Sequence, residues 1–470
     1  MGRPLASLFV GSVILLLSVS PALAYDFEVS ARTEAYGYQL RRYDRAGLLL
    51  LNRRRVTQYL GLRVFNLLEP GEAPRAGRPP ALLHLHGLMR FFTDFGDYAR
   101  APEPIAELRD TSFELLSLAL EGRNLLGWID FTAGRQYDLE LMDFYGYDGL
   151  RLRINTPWRL FVEGHVGAQI HRARLFSPAV FEPDGTSGDP ADGAWAPTFG
   201  VALGVEDLRH FDLRLAYRRT VSHATMPLLP EPARTQGLWS VDQELLFAAL
   251  GYRIPRLTSE VSANLRYSLL TGLFEELQLL LSQPLGTRHR VHLELGRYRP
   301  HFDGDSIFNV FAVEPYSELA ARYAVDVGER WQLEARGGYR WFYRAAVEAD
   351  RGGTGALSLS LGAVARFPRL RAAAEAFFLS GWGGRRAGGD ADLNWRLARW
   401  LNLQGRVSVA SFANDERPSD PPLTSLGVEA GATLRPLRSV ALHLTVEDNV
   451  SRLYRSAVRM LAVLDVEFAP

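Results

Sequence analysis

The sequence predicts an all-β protein, namely a single transmembrane antiparallel up-and-down β-barrel of about 22 strands, within a range of about 18 to 22. Three observations predict this fold. Apolar and polar residues alternate with a period of two along many short segments. The connections between these segments are alternately short and long along the chain. After residue 24, no apolar run approaches the roughly 20 residues that a membrane-spanning helix needs.

The stretch 127–172 shows the alternation most clearly. Leu150 and Leu152 fall on one face of a predicted strand, and Arg151 and Arg153 fall on the other. Successive side chains of a strand point to opposite sides of the sheet. Each such segment is therefore apolar on one side and polar or charged on the other, as in a barrel whose outside faces lipid and whose inside faces water.

The connections support the same fold. Short predicted turns alternate with longer polar loops, and a barrel that starts and ends on the same side of the membrane needs an even number of strands. The longer connections are predicted at 94–110, 173–195, 224–238, 301–312, 346–353, 381–389, 413–423 and 450–456.

The first residues predict export. Arg3 gives a small basic region, residues 8–19 form a short apolar core, and the sequence around Ala22 and Ala24 is a small-residue cleavage site. The predicted organisation is a secretory signal peptide at 1–24 and an outer-membrane β-barrel at 25–470. The predicted location is the outer membrane of a Gram-negative cell.

Composition excludes some classes of protein. The 53 basic and 53 acidic residues give a net charge of zero, and all the basic residues are arginine. A nucleic-acid-binding protein usually has a clear basic excess, so nucleic acid is not an expected partner. Cysteine is absent, which excludes disulfides, thiolate metal sites and covalent haem attachment through cysteine.

The two faces of the predicted strands have different roles. Aromatic residues such as Tyr217, Trp331 and Trp341 lie in phase with the apolar face near strand ends, as in interfacial girdles. Charges of both signs occupy the other face, and because an arginine facing lipid at the midplane costs about 2–4 kcal/mol, this face is predicted to line a wet interior. The candidate pore-lining residues are Arg135, Gln136, Arg151, Arg153, Glu163, His165, Arg214, Arg218, Asp242, Glu244, Arg266, Glu294, Glu318, Arg322, Glu334, Arg336, Arg340 and Arg406.

These charges allow two interpretations that do not exclude each other. They can form ion pairs that stiffen the wall, or they can form a selectivity surface for a polar solute. No catalytic residue, cofactor site or metal site is predicted. His84 and His86 share a strand face without an evident third ligand, and no Gly-x-Ser-x-Gly nucleophile motif is present. The chain is therefore not expected to be an enzyme.

One short motif resembles a known family. Residues 133–136 (Ala-Gly-Arg-Gln), followed by Asp143-Phe144 and by 147–153 (Tyr-Asp-Gly-Leu-Arg-Leu-Arg), resemble the Gly-Arg-Gln … Asp-Gly-x-Arg signature of alginate-export outer-membrane porins and related exopolysaccharide-export barrels. The resemblance implies an arginine-rich pore, a polysaccharide cargo and a periplasmic polysaccharide-export protein as a partner. The motif covers about 20 residues, and the charge balance of this chain departs from a strongly cationic interior.

The leading hypothesis is a porin that forms a polar, charge-lined conduit for export or diffusion of a bulky hydrophilic solute, with a polysaccharide as the expected solute. The alternative is a structural sheath that encloses a partner, such as a multihaem electron carrier, across the outer membrane. A barrel enzyme acting on envelope polymers is a third hypothesis. Expected partners include outer-membrane lipid and the barrel assembly machinery, with Val466 and Phe468 as the candidate assembly signal.

Overall fold

The computed structural model describes residues 26–42, 49–68, 81–94, 112–138, 145–170, 196–222, 240–299, 315–343, 355–381, 384–413 and 422–468. The predicted signal peptide and most of the long predicted loops lie outside these ranges. No helix in the described ranges is long and apolar enough to cross a membrane.

The described chain forms one sheet of 22 strands. Each strand is antiparallel to its neighbours in sequence, and β1 pairs with β22 from Val29 opposite Phe468 to Arg42 opposite Tyr454. This last pairing closes the barrel, so the predicted fold class is confirmed. The strands are β1 (Phe27–Arg42), β2 (Leu49–Val64), β3 (Leu82–Asp94), β4 (Ser112–Leu125), β5 (Ile129–Asp138), β6 (Tyr145–Asn155), β7 (Leu160–Gln169), β8 (Pro197–Leu208), β9 (Phe211–Ser222), β10 (Ser240–Ile254), β11 (Ser259–Ser268), β12 (Leu273–Leu285), β13 (His289–Tyr298), β14 (Tyr316–Val327), β15 (Trp331–Phe342), β16 (Gly355–Arg366), β17 (Leu370–Gly381), β18 (Gly384–Arg396), β19 (Leu401–Ala413), β20 (Leu423–Leu437), β21 (Val440–Ser451) and β22 (Tyr454–Phe468).

The two ends of the barrel differ. Connections that leave even-numbered strands are short turns, apart from 65–81, and they share one end with the start of β1 and the end of β22. Connections at the other end include four long ones, at 95–111, 170–196, 223–239 and 299–315. In outer-membrane barrels the short turns are periplasmic and the longer loops extracellular, so we call the two ends of this barrel the periplasmic and extracellular ends.

The outside of the barrel is apolar. Leu361 is 66% exposed and Val166 is 59% exposed, although both lie within strands. They belong to a set of outward-facing aliphatic residues that alternate with polar inward-facing ones along nearly every strand. Leaving so much apolar surface uncovered is favourable only where the surrounding medium is itself apolar. The exterior therefore faces lipid.

Exposed aromatic side chains border this apolar band at both ends. Trp331 and Trp341 lie on the same outward face of β15, ten residues apart. At a strand rise of about 3.4 Å and a tilt of about 40°, they are separated by about 26 Å along the membrane normal, which matches an apolar band of about 25 Å. A closed, even-stranded barrel with this exterior has the construction of bacterial outer-membrane proteins, which confirms the predicted location.

Two predicted loops are mostly strand. β18 begins at Gly384 and β22 begins at Tyr454, so the predicted loops at 381–389 and 450–456 are reduced to very short connections. The glycine-rich sequence of β18 indicated a loop. In the structure, a Cβ at Gly388 would lie 2.2 Å from the Val409 carbonyl oxygen and 2.7 Å from the Phe377 ring. Glycine is present there because a neighbouring strand and an aromatic ring occupy the space of a side chain.

Three glycines form a row across neighbouring strands at the motif of residues 133–153 that resembles alginate-export porins. Gly134 lies opposite Gly149, and Gly149 lies opposite Gly167, on the three adjacent strands β5, β6 and β7. A Cβ on Gly167 would lie 2.4 Å from the Asp148 carbonyl oxygen and 2.9 Å from the Gly149 Cα. The strand backbones approach one another so closely that no side chain fits between them. The glycines of the motif therefore have a structural role.

We predict that Gly167→Ala lowers the free energy of unfolding by about 1–3 kcal/mol, because the new methyl group collides with backbone that cannot move independently. Gly164→Ala, on the same strand, is the matched control, since its Cβ would meet only the Gly200 carbonyl oxygen at 3.8 Å. Urea unfolding in lipid vesicles, followed by tryptophan fluorescence, measures both. Equal effects of the two substitutions would contradict the steric explanation.

Candidate functional site

The inner face of the wall is defined by the strand register. Positions that alternate with the exposed aliphatic residues carry most of the predicted pore-lining side chains. Those placed on the inner face are Gln136, Arg151, Arg153, Glu163, His165, Arg214, Arg218, Arg266, Glu294, Glu318, Arg322, Glu334, Arg336, Arg340 and Arg406. The side chain of Asp242 lies outside the described part of the chain.

Arg135 differs from its prediction. It pairs in register with Leu118 and with Asp148, in phase with the outward-facing Leu150. Its side chain is only 3% exposed, and it makes two hydrogen bonds to Asp148, from Nε to Oδ1 at 2.7 Å and from Nη2 to Oδ2 at 2.6 Å. A third bond runs from Nη1 to the Leu115 carbonyl oxygen at 2.7 Å. Arg135 therefore joins three neighbouring strands near the extracellular end.

Glu244 also differs from its prediction. The register of β10 against β9 skips Asp242, passing from Val241 to Gln243, and this bulge reverses the alternation. Glu244 is consequently opposite the outward-facing Arg219 and accepts a hydrogen bond of 2.7 Å from the Tyr217 hydroxyl. Both residues were misplaced because a local pattern with a period of two does not reveal a bulge or an outward ion pair.

The inner face of β7 to β12 is densely packed. Glu163 and Arg214 form an ion pair of 2.8 Å with side chains that are 6% and 14% exposed. Arg266 and Glu275 form another, at 2.9 Å, in which Glu275 is a bulged residue of β12 and is buried. Burying a charge is costly unless an opposite charge lies beside it. On this arc, the charged side chains therefore form ion pairs within the barrel wall.

Aromatic side chains complete this packed arc. The guanidinium carbon of Arg218 lies 3.8 Å from the centre of the Tyr145 ring and 5.3 Å from that of Phe247. The Tyr145 hydroxyl and the Thr220 hydroxyl are 2.9 Å apart, within hydrogen-bond distance. Sequence alternation did not identify Tyr145 or Phe247 as inward-facing, because it assigns apolar residues to the outside. Their burial shows that this arc leaves little free space at its inner surface.

The inner face of β14 to β21 is open by comparison. A recess of about 690 Å³ lies against it. Its lining is polar and charged, and it contains the predicted residues Arg322, Glu334 and Arg406. The remaining charged lining residues are Arg366, Arg371, Glu375, Asp390, Asp392 and Glu429.

A second recess of about 490 Å³ lies at the periplasmic end, between the turns that join β16 to β17 and β18 to β19. Its charged lining consists of arginines, with His443 beside them, namely Arg369, Arg371, Arg396, Arg399 and Arg435. Alternation places Arg371 on the charged face of its strand, whereas most of the others lie in or beside turns, where alternation gives no signal. Within the described ranges no group of three or more histidine, aspartate or glutamate side chains could hold a metal ion.

We predict that Asp148→Asn lowers the free energy of unfolding by about 2–3 kcal/mol, because it leaves the buried Arg135 guanidinium without its counter-charge. The matched control is Asp207→Asn. Asp207 pairs with Arg159 at 2.6 Å, but their side chains are 74% and 54% exposed. We expect the control to cost less than about 1 kcal/mol. Urea unfolding in vesicles measures both, and a control effect as large as that of Asp148→Asn would contradict this account.

No family model and no curated protein matches the chain. Several crystal structures are similar over nearly the whole chain. OccAB4 of Acinetobacter baumannii is 8% identical, with 96% of this chain and 100% of that chain covered and a TM-score of 0.45. The outer membrane protein OpdK of Pseudomonas aeruginosa is 12% identical (95% and 99% covered, TM-score 0.43), and OccK9 (OpdG) of the same organism is 11% identical (95% and 99% covered, TM-score 0.46). At TM-scores below 0.5 these likenesses carry no conclusion about the function of this chain. They leave the resemblance to alginate-export porins unconfirmed.

Proposed function

We propose that the protein is a passive outer-membrane porin that lets hydrophilic solutes cross through its lumen. The observation that carries this proposal is the opposition of the two wall faces. The outside is aliphatic, whereas the inside holds exposed charges such as Arg322, Arg336 and Arg406. Exposed charges of this kind are stable at membrane depth only beside water. A hydrated lumen conducts without any chemistry by the protein, so no catalytic role is part of the proposal.

The open arc supports a continuous route. The two recesses along β14 to β21 share Arg371, Asn394 and Gln404 in their linings. They therefore form one groove on the inner face that reaches the periplasmic end. Polar and charged side chains are the majority of its lining, which favours a solute that exchanges hydrogen bonds with water for hydrogen bonds with the wall.

A polysaccharide is one candidate cargo, because of the resemblance carried by residues 133–153. For such a cargo, a periplasmic polysaccharide-export protein is the proposed partner, beside outer-membrane lipid and the barrel assembly machinery. Hydroxyl-rich polymers suit a wall of mixed charge, whereas a strongly anionic polymer would meet unpaired carboxylates in the wider recess. A neutral or weakly charged polymer is therefore the better match for this lumen.

We predict that the refolded mature chain gives stable single-channel currents in a planar lipid bilayer, because the lumen is polar and open on one arc. Added polysaccharides, with neutral dextran and anionic alginate as the first pair, are expected to reduce the current if they enter. Protein that shows the gel shift of a folded barrel but stays electrically silent would contradict the open conduit. That result would favour the sheath, in which a partner such as a multihaem carrier occupies the lumen. Heat-denatured protein is the negative control.

A further inference from the structure

The groove along β14 to β21 separates positive from negative charge. In its wider recess, Arg322 is paired with Glu334 at 2.6 Å, and Arg406 is paired with Asp390 at 3.0 Å. These two pairs are neutral overall. The charges that are left over decide what the groove attracts.

The left-over charges deeper in the groove are carboxylates. Arg366, which also lines the wider recess and donates a hydrogen bond to the neutral Gln332, lies opposite Arg371 in register and so belongs to the positive end. Glu375, Asp392 and Glu429 make no ion pair and no side-chain hydrogen bond with other described residues. Asp392 and Glu429 lie in register on either side of Arg406, whose guanidinium donates its hydrogen bond to Asp390. One arginine therefore faces three carboxylates in this row, and Glu375 adds another on the neighbouring strand.

The left-over charges at the periplasmic end are arginines. Arg371 and Arg435 lie on the inner face, and Arg369 and Arg399 lie in the turns beside them. Among the residues that the structure describes, the side chains of these four arginines have no ion-pair or hydrogen-bond partner, and no aspartate or glutamate lines the recess. Arg396, the fifth arginine, donates a hydrogen bond of 2.8 Å to the Pro368 carbonyl oxygen and keeps its charge. Arginines that line one recess without counter-ions favour an anion between them.

The distance between the two sets is fixed by one strand. Arg371 and Glu375 lie four residues apart on the inner face of β17, and both line the wider recess. At a rise of about 3.3 Å per residue, their Cα atoms are about 13 Å apart. An extended peptide of four residues spans about the same length between its terminal ammonium and its terminal carboxylate.

We propose that this groove binds a bipolar solute, with its anionic group among the periplasmic arginines and its cationic group about 13 Å deeper at Glu375. The solute class is a zwitterion with widely separated charges, for which an unblocked tetrapeptide has a suitable length. This inference rests on the proposed conduit function and names the kind of solute that the conduit selects. A solute with one charge engages one half of the groove and is repelled by the other half.

The test uses the refolded barrel in a planar bilayer, with tetraalanine as the probe. Its N-acetylated form keeps only the anion, and its C-terminal amide keeps only the cation. Tetraalanine should halve the current at a concentration on the order of ten-fold lower than either capped form, because each engaged charge contributes a modest gain. Equal block by all three peptides, or block by the N-acetylated form as strong as by tetraalanine, would overturn the bipolar site.

Two substitutions test which part of the groove binds each charge of the solute. Arg371→Gln should weaken block by tetraalanine and by its N-acetylated form about three-fold, and leave the amide unchanged. Glu375→Gln should weaken block by tetraalanine and by the amide to a similar degree, and leave the N-acetylated form unchanged. Glu260→Gln is the matched control, since Glu260 is exposed on the inner face of β11, on the packed side of the barrel. It should change none of the three.

The outcomes separate this inference from the proposed function. A folded barrel without any current contradicts the conduit itself. A conducting barrel in which both substitutions act on all three peptides alike keeps the conduit and overturns the bipolar groove.

Discussion

The structure depends on one constraint, which is that every backbone amide and carbonyl group inside a lipid bilayer must be hydrogen-bonded within the protein. A sheet with free edges cannot meet this requirement, and the pairing of β1 with β22 removes both edges. Closure then forces each strand to show one face to lipid and the other to the lumen. The alternation in the sequence follows from that requirement, because apolar residues suit the face toward lipid and polar residues suit the face toward the lumen.

This explains why the fold could be predicted from the sequence with little else. Alternation specifies strand, face and register together, since a slip by one residue would exchange lipid-facing and lumen-facing side chains. It fails where the backbone departs from regular pairing. The bulge at Asp242 puts Glu244 on the outside, and the glycines of β18 resemble a loop although Phe377 and Val409 occupy the space above Gly388. Neither departure is visible in one strand alone, because its cause lies in a neighbouring strand.

The candidate site was less predictable than the fold for a related reason. Alternation identifies which residues face inward, but it does not show which inward charges neutralise one another. Glu163 and Arg214 come from β7 and β9. They can reach each other because β8, between them, carries the small residues Ala202 and Gly204 on the same face. Packed pairs of this kind hold the wall together and are unavailable to a solute. The use of arginine throughout fits this role, since its planar fork can bond carboxylates on more than one strand.

Selectivity in such a barrel therefore depends on the lumenal charges that are not neutralised by ion pairs within the wall. A net charge of zero suggests an interior without preference, yet the sum says nothing about position. On the open arc the turns of β16 to β21 gather arginines at the periplasmic end, and the mid-strand positions keep carboxylates. Opposite charges that could have neutralised each other are instead held apart along β17 by the stiffness of an extended strand. The barrel fixes that separation, and a solute that bridges it gains from both ends at once, whereas small ions respond to each end separately.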